Sequence, residues 1–304
     1  MKPTSIIFLV VAVILVAVGF SLAGSARGIA EANGIMIRNE KVEDSEDTFY
    51  RQSFSDEDIV KITLSATDAE ICIYGNAEES YIELINYADG TYTLTNDHTV
   101  TFSDTLGEIS LDNIENIFGR VKSFQGLHGF LNYLNTHKGD KKINLYLSAK
   151  SSVNSIVCST ETGSITFDGK KLRADSHFEL KNGKLTLKNI VGSSAVSVDM
   201  DDGEVSLTGC SPYQLEINAK KGSVTTNGCD IFNAKINVGE GSVNLQYVFT
   251  IPSSLILKAP DGRISIYGKE VGDTYGAPSE DAVNLLDVTV EHGNISLDAL
   301  ADSH

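Results

Sequence analysis

Gly163-Ser164-Ile165-Thr166-Phe167, Gly183-Lys184-Leu185-Thr186-Leu187, Gly203-Glu204-Val205-Ser206-Leu207, Gly222-Ser223-Val224-Thr225-Thr226, Gly241-Ser242-Val243-Asn244-Leu245, Gly262-Arg263-Ile264-Ser265-Ile266 and Gly293-Asn294-Ile295-Ser296-Leu297 are versions of one phrase. In each, a glycine is followed two and four residues later by residues that are mostly apolar. The first six glycines are separated by 20, 20, 19, 19 and 21 residues. A fixed period in that range marks stacked supersecondary units, none of which can bury its apolar face alone.

The residues before each glycine carry the same rhythm. Positions minus seven, minus five and minus three are mostly apolar, and minus five is the most regular: Cys158, Phe178, Val198, Ile217, Ile236, Leu257 and Val288. Polar residues intervene, such as Glu179, Asp199, Asn218 and Asn237 at minus four, so a strand with one buried and one wet face is expected. Asn182-Gly183, Asp202-Gly203 and Asp261-Gly262 are turn-forming pairs, and Gly169, Asn189, Gly209, Gly228 and Gly268 mark a second turn six residues on. Each unit therefore reads as strand, glycine turn, strand, turn.

Two all-β architectures fit. In a β-solenoid each period is one coil, and equivalent positions stack about 4.8 Å apart. In an antiparallel meander the Asn-Gly and Asp-Gly pairs close hairpins, and Leu180 faces Leu185. The solenoid is favoured because like residues recur at one register, as with Asn218 and Asn237, or Cys210 and Cys229. Ile62, Leu64, Ala66, Ile71 and Ile73 extend the series backwards with Ala69 in the glycine slot. Gly75, then Asp89-Gly90 with Tyr92 and Leu94, and Gly107 with Ile109 and Leu111 continue it, giving a domain over 54–298 of roughly ten coils with atypical caps. Within it, Ile114, Ile117, Phe118, Val121, Phe124, Leu127, Leu131 and Leu134 follow helical spacing, which predicts an amphipathic insertion over 114–136 that covers an edge or flank, the alternative being a partner-binding or membrane-surface element.

Upstream, Ile6 to Ala23 is almost uninterruptedly apolar, near the lower bound for spanning a bilayer. Residues 1–27 are expected to be an uncleaved membrane anchor, the alternative being a signal peptide cut near Gly24-Ser25-Ala26. Either reading exports the repeats, with the domain on the extracytoplasmic side of the cell membrane. Residues 28–53 read as an acidic tether, and 299–304 as a tail.

Composition narrows the function. A net charge of -17 disfavours a nucleic-acid partner, and no EF-hand or Gly-Gly-x-Gly-x-Asp loop is present for calcium. No Gly-x-Ser-x-Gly elbow, P-loop or His-Glu-x-x-His occurs, and His128 and His137 lack ligand spacing. A catalytic cluster, were there one, would gather Glu179 and Asp199 with Glu204 and His177, but no arginine or lysine completes it. No catalytic residue, metal ligand or cofactor is expected. Cys158 reads as core and Cys72 as outward; Cys210 and Cys229 fall at one register, either disulfide-bonded or as two reduced thiols.

The phrase carried by Gly163, Gly183, Gly203, Gly222, Gly241, Gly262 and Gly293, behind an N-terminal anchor, resembles the bacterial putative-adhesin family of β-strand-repeat domains of unknown function. The resemblance implies a right-handed parallel β-helix-like solenoid at the cell surface, with no catalytic residues to carry over. The expected function is a membrane-tethered, extracytoplasmic, non-enzymatic binding or adhesion-like module whose partner is envelope glycan or another surface protein. The alternatives are an envelope structural or stress-regulatory component signalling through its anchor, and a glycan-active β-helix enzyme.

Overall fold

The structure, a computed structural model, describes residues 49–87, 92–104, 141–247, 254–277 and 284–299. All lie in one compact unit, Asp47–His304. The expected anchor at 1–27, most of the tether and the helical insertion at 114–136 fall outside the described residues. Among the described residues there is no helix long and apolar enough to cross a membrane. The strands are β1 (Phe49–Ser53), β2 (Lys61–Ala77), β3 (Tyr81–Ile85), β4 (Tyr92–Asp97), β5 (Thr99–Asp104), β6 (Lys142–Ser148), β7 (Ser155–Leu172) and β8 (Ser176–Thr208). They continue with β9 (Ser211–Cys229), β10 (Asn233–Tyr247), β11 (Ser254–Lys258), β12 (Arg263–Ile266), β13 (Lys269–Gly272), β14 (Thr274–Ala277) and β15 (Leu285–Ala299).

Parallel pairing in register decides between the two architectures. Cys158 lies beside Phe178, Val198 beside Ile217, and Ile217 beside Ile236. Leu180 pairs with Thr160 of the preceding coil, so the meander, which would set Leu180 against Leu185, is excluded. The long strand β8 holds two successive coils, one at Gly183 and the next at Gly203. Cys158, Phe178, Val198, Ile217, Ile236, Val288 and Leu257 form one interior column in which no member is more than 1% exposed. Each fully buried member of such a column contributes roughly 1.5–3 kcal/mol of apolar burial.

The glycines sit at a bend in a continuing strand, not at hairpin ends. A Cβ on Gly203 would fall less than 3.0 Å from the carbonyl oxygen of Gly183, and the same holds for Gly163 against Ala69, Gly183 against Gly163, Gly222 against Gly203 and Gly241 against Gly222. Gly203 also has φ of +152°, a backbone region that L-residues avoid. Ala69 stands in the first of these slots, above Lys141 of the layer below, and has no left-handed φ, which is why a methyl is tolerated there. The second corner is equally regular: Gly169, Asn189, Gly209, Gly228 and Gly268 all have φ between +54° and +75°.

Thr226 breaks the apolar pattern for a reason the register makes plain. It is 1% exposed in an inward position beside Leu245. The pairing shifts by a bulge between Leu245 and Tyr247, and the Thr226 hydroxyl accepts a hydrogen bond from the Gln246 amide at 3.1 Å. The polar side chain satisfies a donor that the bulge takes off the ladder.

Both ends depart from the expected linear array. Tyr92 and Leu94 belong to β4, which pairs antiparallel with β5, so that stretch is one arm of a hairpin and not a coil. The strands β5 and β6 together form the layer below β2, pairing parallel with its first and second halves. β3 and then β1 cap that layer in antiparallel fashion. At the other end the coils leave sequence order: Gly293 stacks on Gly241, and β11 and β12 lie outside β15. The antiparallel strands β14 and β13 close the stack. Antiparallel caps end a parallel array without leaving a long parallel edge to recruit another chain.

Gly203→Ala should cost roughly 3 kcal/mol or more, because neither the φ nor the neighbouring carbonyl can yield. Gly268→Ala, at φ +71° with nothing within 4 Å, should cost only about 1–2 kcal/mol. Urea unfolding midpoints of the two variants compare them directly; equal midpoints would refute the carbonyl clash.

Candidate ligand-binding groove

The polar register before the glycines forms a hydrogen-bonded ladder along the stack. Asn237 Nδ2 donates to Asn218 Oδ1 at 2.9 Å, and Asn218 Nδ2 donates to Asp199 Oδ1 at 3.1 Å. The other Asp199 oxygen lies 3.8 Å from His177 Nε2, while His177 Nδ1 is 2.9 Å from the Ser197 hydroxyl. Stacking puts these side chains one strand spacing apart, so amides repeat their hydrogen bonds from coil to coil.

Two residues on, a second register runs parallel to the first through Asp201, Lys220, Gly239 and Glu291. Between the two registers run Met200, Ala219 and Val238, whose side chains are buried on the inner face, and Asp199, Asn218, Asn237 and Thr289 form the facing wall. The groove so enclosed crosses four coils and has a volume of about 360 Å³, within the range of small-molecule sites. Gly239 supplies no side chain to the rim and so keeps it low. Lys220 and Asp201 pair along the rim at 2.7 Å.

Of the four residues weighed as a catalytic cluster, the fold brings His177 and Asp199 together. Glu204 is drawn off to Lys184 at 3.2 Å, and Glu179 stands exposed on the coil before Asp199. Asp199 accepts from Asn218 on one oxygen, and its other oxygen lies beyond hydrogen-bond reach of His177. Among the described residues no group of three His, Cys, Asp or Glu side chains is placed to hold a metal.

Cys158, Cys210 and Cys229 are buried free thiols. A hydrogen bond to Cys229, reinforced by burial, holds the Cys210 thiol well above its ordinary range; the same bond lowers Cys229. Cys72 points outward as expected, yet it is covered, and burial raises its thiol. It lies under an aromatic stack that the sequence did not reveal: Tyr74 and Tyr146 ring centroids are 5.0 Å apart, Tyr146 and Tyr81 4.4 Å, and Arg51 lies 3.6 Å over Tyr81. Tyr81 sits on a capping strand, where the coil period gives no register.

The match to known families follows the same boundaries as the stack. The Toastrack DUF4097 family model matches residues 59–301. The chain belongs to that family. The solved structures to which this Toastrack chain is similar include a putative cell adhesion protein from Clostridium sporogenes, at 14% identity and TM-score 0.32, covering 84% of this chain and 100% of that one. A putative adhesin from Bacteroides fragilis has 11% identity and TM-score 0.41, with 84% and 98% covered. A putative lipid binding protein from Parabacteroides distasonis has 10% identity and TM-score 0.32, with 83% and 97% covered. No curated protein matches the Toastrack chain.

Burial, followed by the Cys72 thiol, pushes the Tyr74 phenol up to about 12, and burial raises Tyr146 as well. The unfolded chain ionises its phenols near the ordinary value of 10.0, before the folded chain does. Stability should therefore hold below that pH and fall as pH rises from 10 towards 12. Phenolate absorbance during alkaline titration, with denaturation midpoints in the same interval, checks this; Tyr74→Phe should flatten the loss.

Proposed function

We propose that the chain is a membrane-tethered, extracytoplasmic binding module that holds a neutral, hydroxyl-rich glycan in the groove of Asp199, Asn218, Asn237 and Thr289, without catalysing a reaction on it. The single observation that carries this reading is the groove itself: two asparagine amides and a threonine hydroxyl on a wall that crosses four coils, and a length that matches an extended chain better than a compact metabolite. Amide and hydroxyl groups both donate and accept, which suits sugar hydroxyls. Asp201 and Glu291 on the rim disfavour a polyanion. The apolar run from Ile6 to Ala23 supports the tether, because roughly 18 to 20 such residues are what a bilayer crossing needs.

Purified full-length protein in nonionic detergent should bind neutral envelope polysaccharide fragments in isothermal titration. Asn218→Ala combined with Asn237→Ala should weaken that binding about tenfold, the loss of roughly 1.4 kcal/mol expected for removing shared hydrogen bonds. Release of reducing ends from the same fragments would overturn the non-catalytic part of the reading. A full panel with no binding would overturn the rest.

A further inference from the structure

A second groove lies among the N-terminal coils and has the opposite electrostatic character. It has a volume of about 610 Å³ and is bounded by the end of β2, the loop between β6 and β7, and the end of β7. Lys150, Lys171 and Arg173 line it together with Ser152, Asn154 and Asn76, and no carboxylate contributes to its wall. Elsewhere on this acidic chain, cations are commonly matched between coils: Lys181 with Glu161, Lys184 with Glu204, Lys220 with Asp201 and Lys221 with Glu240. None of the three groove cations forms an ion pair among the described residues.

Three carboxylates on neighbouring segments have hydrogen-bond partners of their own. Asp56 accepts hydrogen bonds from the Ser80 and Ser148 hydroxyls, Asp168 from Asn189, and Asp175 from the Ala195 amide. The backbone that carries the cations is fixed. Leu172, fully buried, sits between Lys171 and Arg173 and sends both outward on the same face. The Asn154 carbonyl accepts from the Arg173 and Ala174 amides at 3.2 and 3.0 Å, the Asn154 amide donates to Val60 at 3.0 Å, and the Ser152 amide donates to Asp56 at 2.7 Å. Three like charges held together on a pinned backbone repel one another, and a multivalent anion relieves that repulsion.

We propose that this groove binds an anionic, phosphate-bearing ligand. Arg173 offers a planar fork that meets two phosphate oxygens at once, and Lys150 and Lys171 act as point charges to either side. Ser152, Asn154 and Asn76 supply neutral donors. The shared chemistry is a phosphate group, from a soluble phosphorylated molecule or from an anionic lipid headgroup. This site is separate from the amide groove and does not depend on what that groove holds.

The test is isothermal titration of full-length protein in nonionic detergent with inorganic tripolyphosphate. Parallel arms use a short-chain phosphatidylglycerol and the matching phosphatidylcholine, each below its micelle concentration. Wild type should bind tripolyphosphate, and raising the salt from about 0.1 M to about 1 M should weaken binding at least tenfold as the Debye length shrinks. Lys150→Ala combined with Arg173→Ala should also weaken it at least tenfold, while Lys235→Ala with Lys258→Ala, exposed cations on other coils, should leave it unchanged. All four positions are exposed, so unfolding midpoints should match wild type. Binding of phosphatidylglycerol but not phosphatidylcholine, lost in the groove variant, supports the headgroup source; binding of tripolyphosphate alone supports the soluble one. No binding by wild type to either phosphate probe, or equal loss in the groove and control variants, overturns the proposal.

Discussion

Each coil places a carbonyl oxygen where the next coil's Cβ would stand, and the structure is built around that contact. A column of glycines is the price of bringing strands round a bend at one strand spacing while keeping their register. With the bend fixed, the residue five positions earlier always faces inward and the residue four positions earlier always faces out. Core and surface are then set together, coil after coil. Ala69 marks where the left-handed bend starts: the Lys141 carbonyl lies in the layer below it, but its own φ is not left-handed, so a methyl fits.

The coil interior was readable because two periods agree: alternation within the strand and the near-constant spacing between glycines. The column from Cys158 to Leu257 follows from those alone. What the sequence could not show is which coil rests on which. The units at Gly262 and Gly293 carry the same phrase, and nothing in either one announces that the later unit lies inside the earlier. Tyr92 and Leu94 were misread for a related reason, because alternation is the same in a parallel coil and in an arm of a hairpin.

The two grooves differ in legibility. Asn218 and Asn237 were visible as a repeated polar register, though the low rim at Gly239 and the contribution of Thr289 emerged only with the stacking order of the coils. Lys150, Lys171 and Arg173 were invisible: they lie on separate segments and are masked by a net charge of -17. Composition reports the average field of the surface. Local fields depend on which side chains the corners gather, and here the corners gather cations against the average. The polar ladder and the inter-coil ion pairs also lie on exposed faces, where each is worth only about 0–1 kcal/mol. Stability rests on the apolar column, which leaves the outer registers free to vary with whatever they bind.

The placement of β15 between β10 and β11 bears on how the chain reaches this arrangement. During synthesis the segment Ser254–Ile266 emerges before Leu285–Ala299, at a time when the edge of β10 is open and offers a matching register to either. The earlier segment has the head start, the later one the native position. Growth by simple addition of coils in order of emergence therefore ends one layer out of place. The later strand has to displace its predecessor or find it still undocked, so Leu285–Ala299 completes an inner layer of the stack although Ser254–Ile266 is made before it.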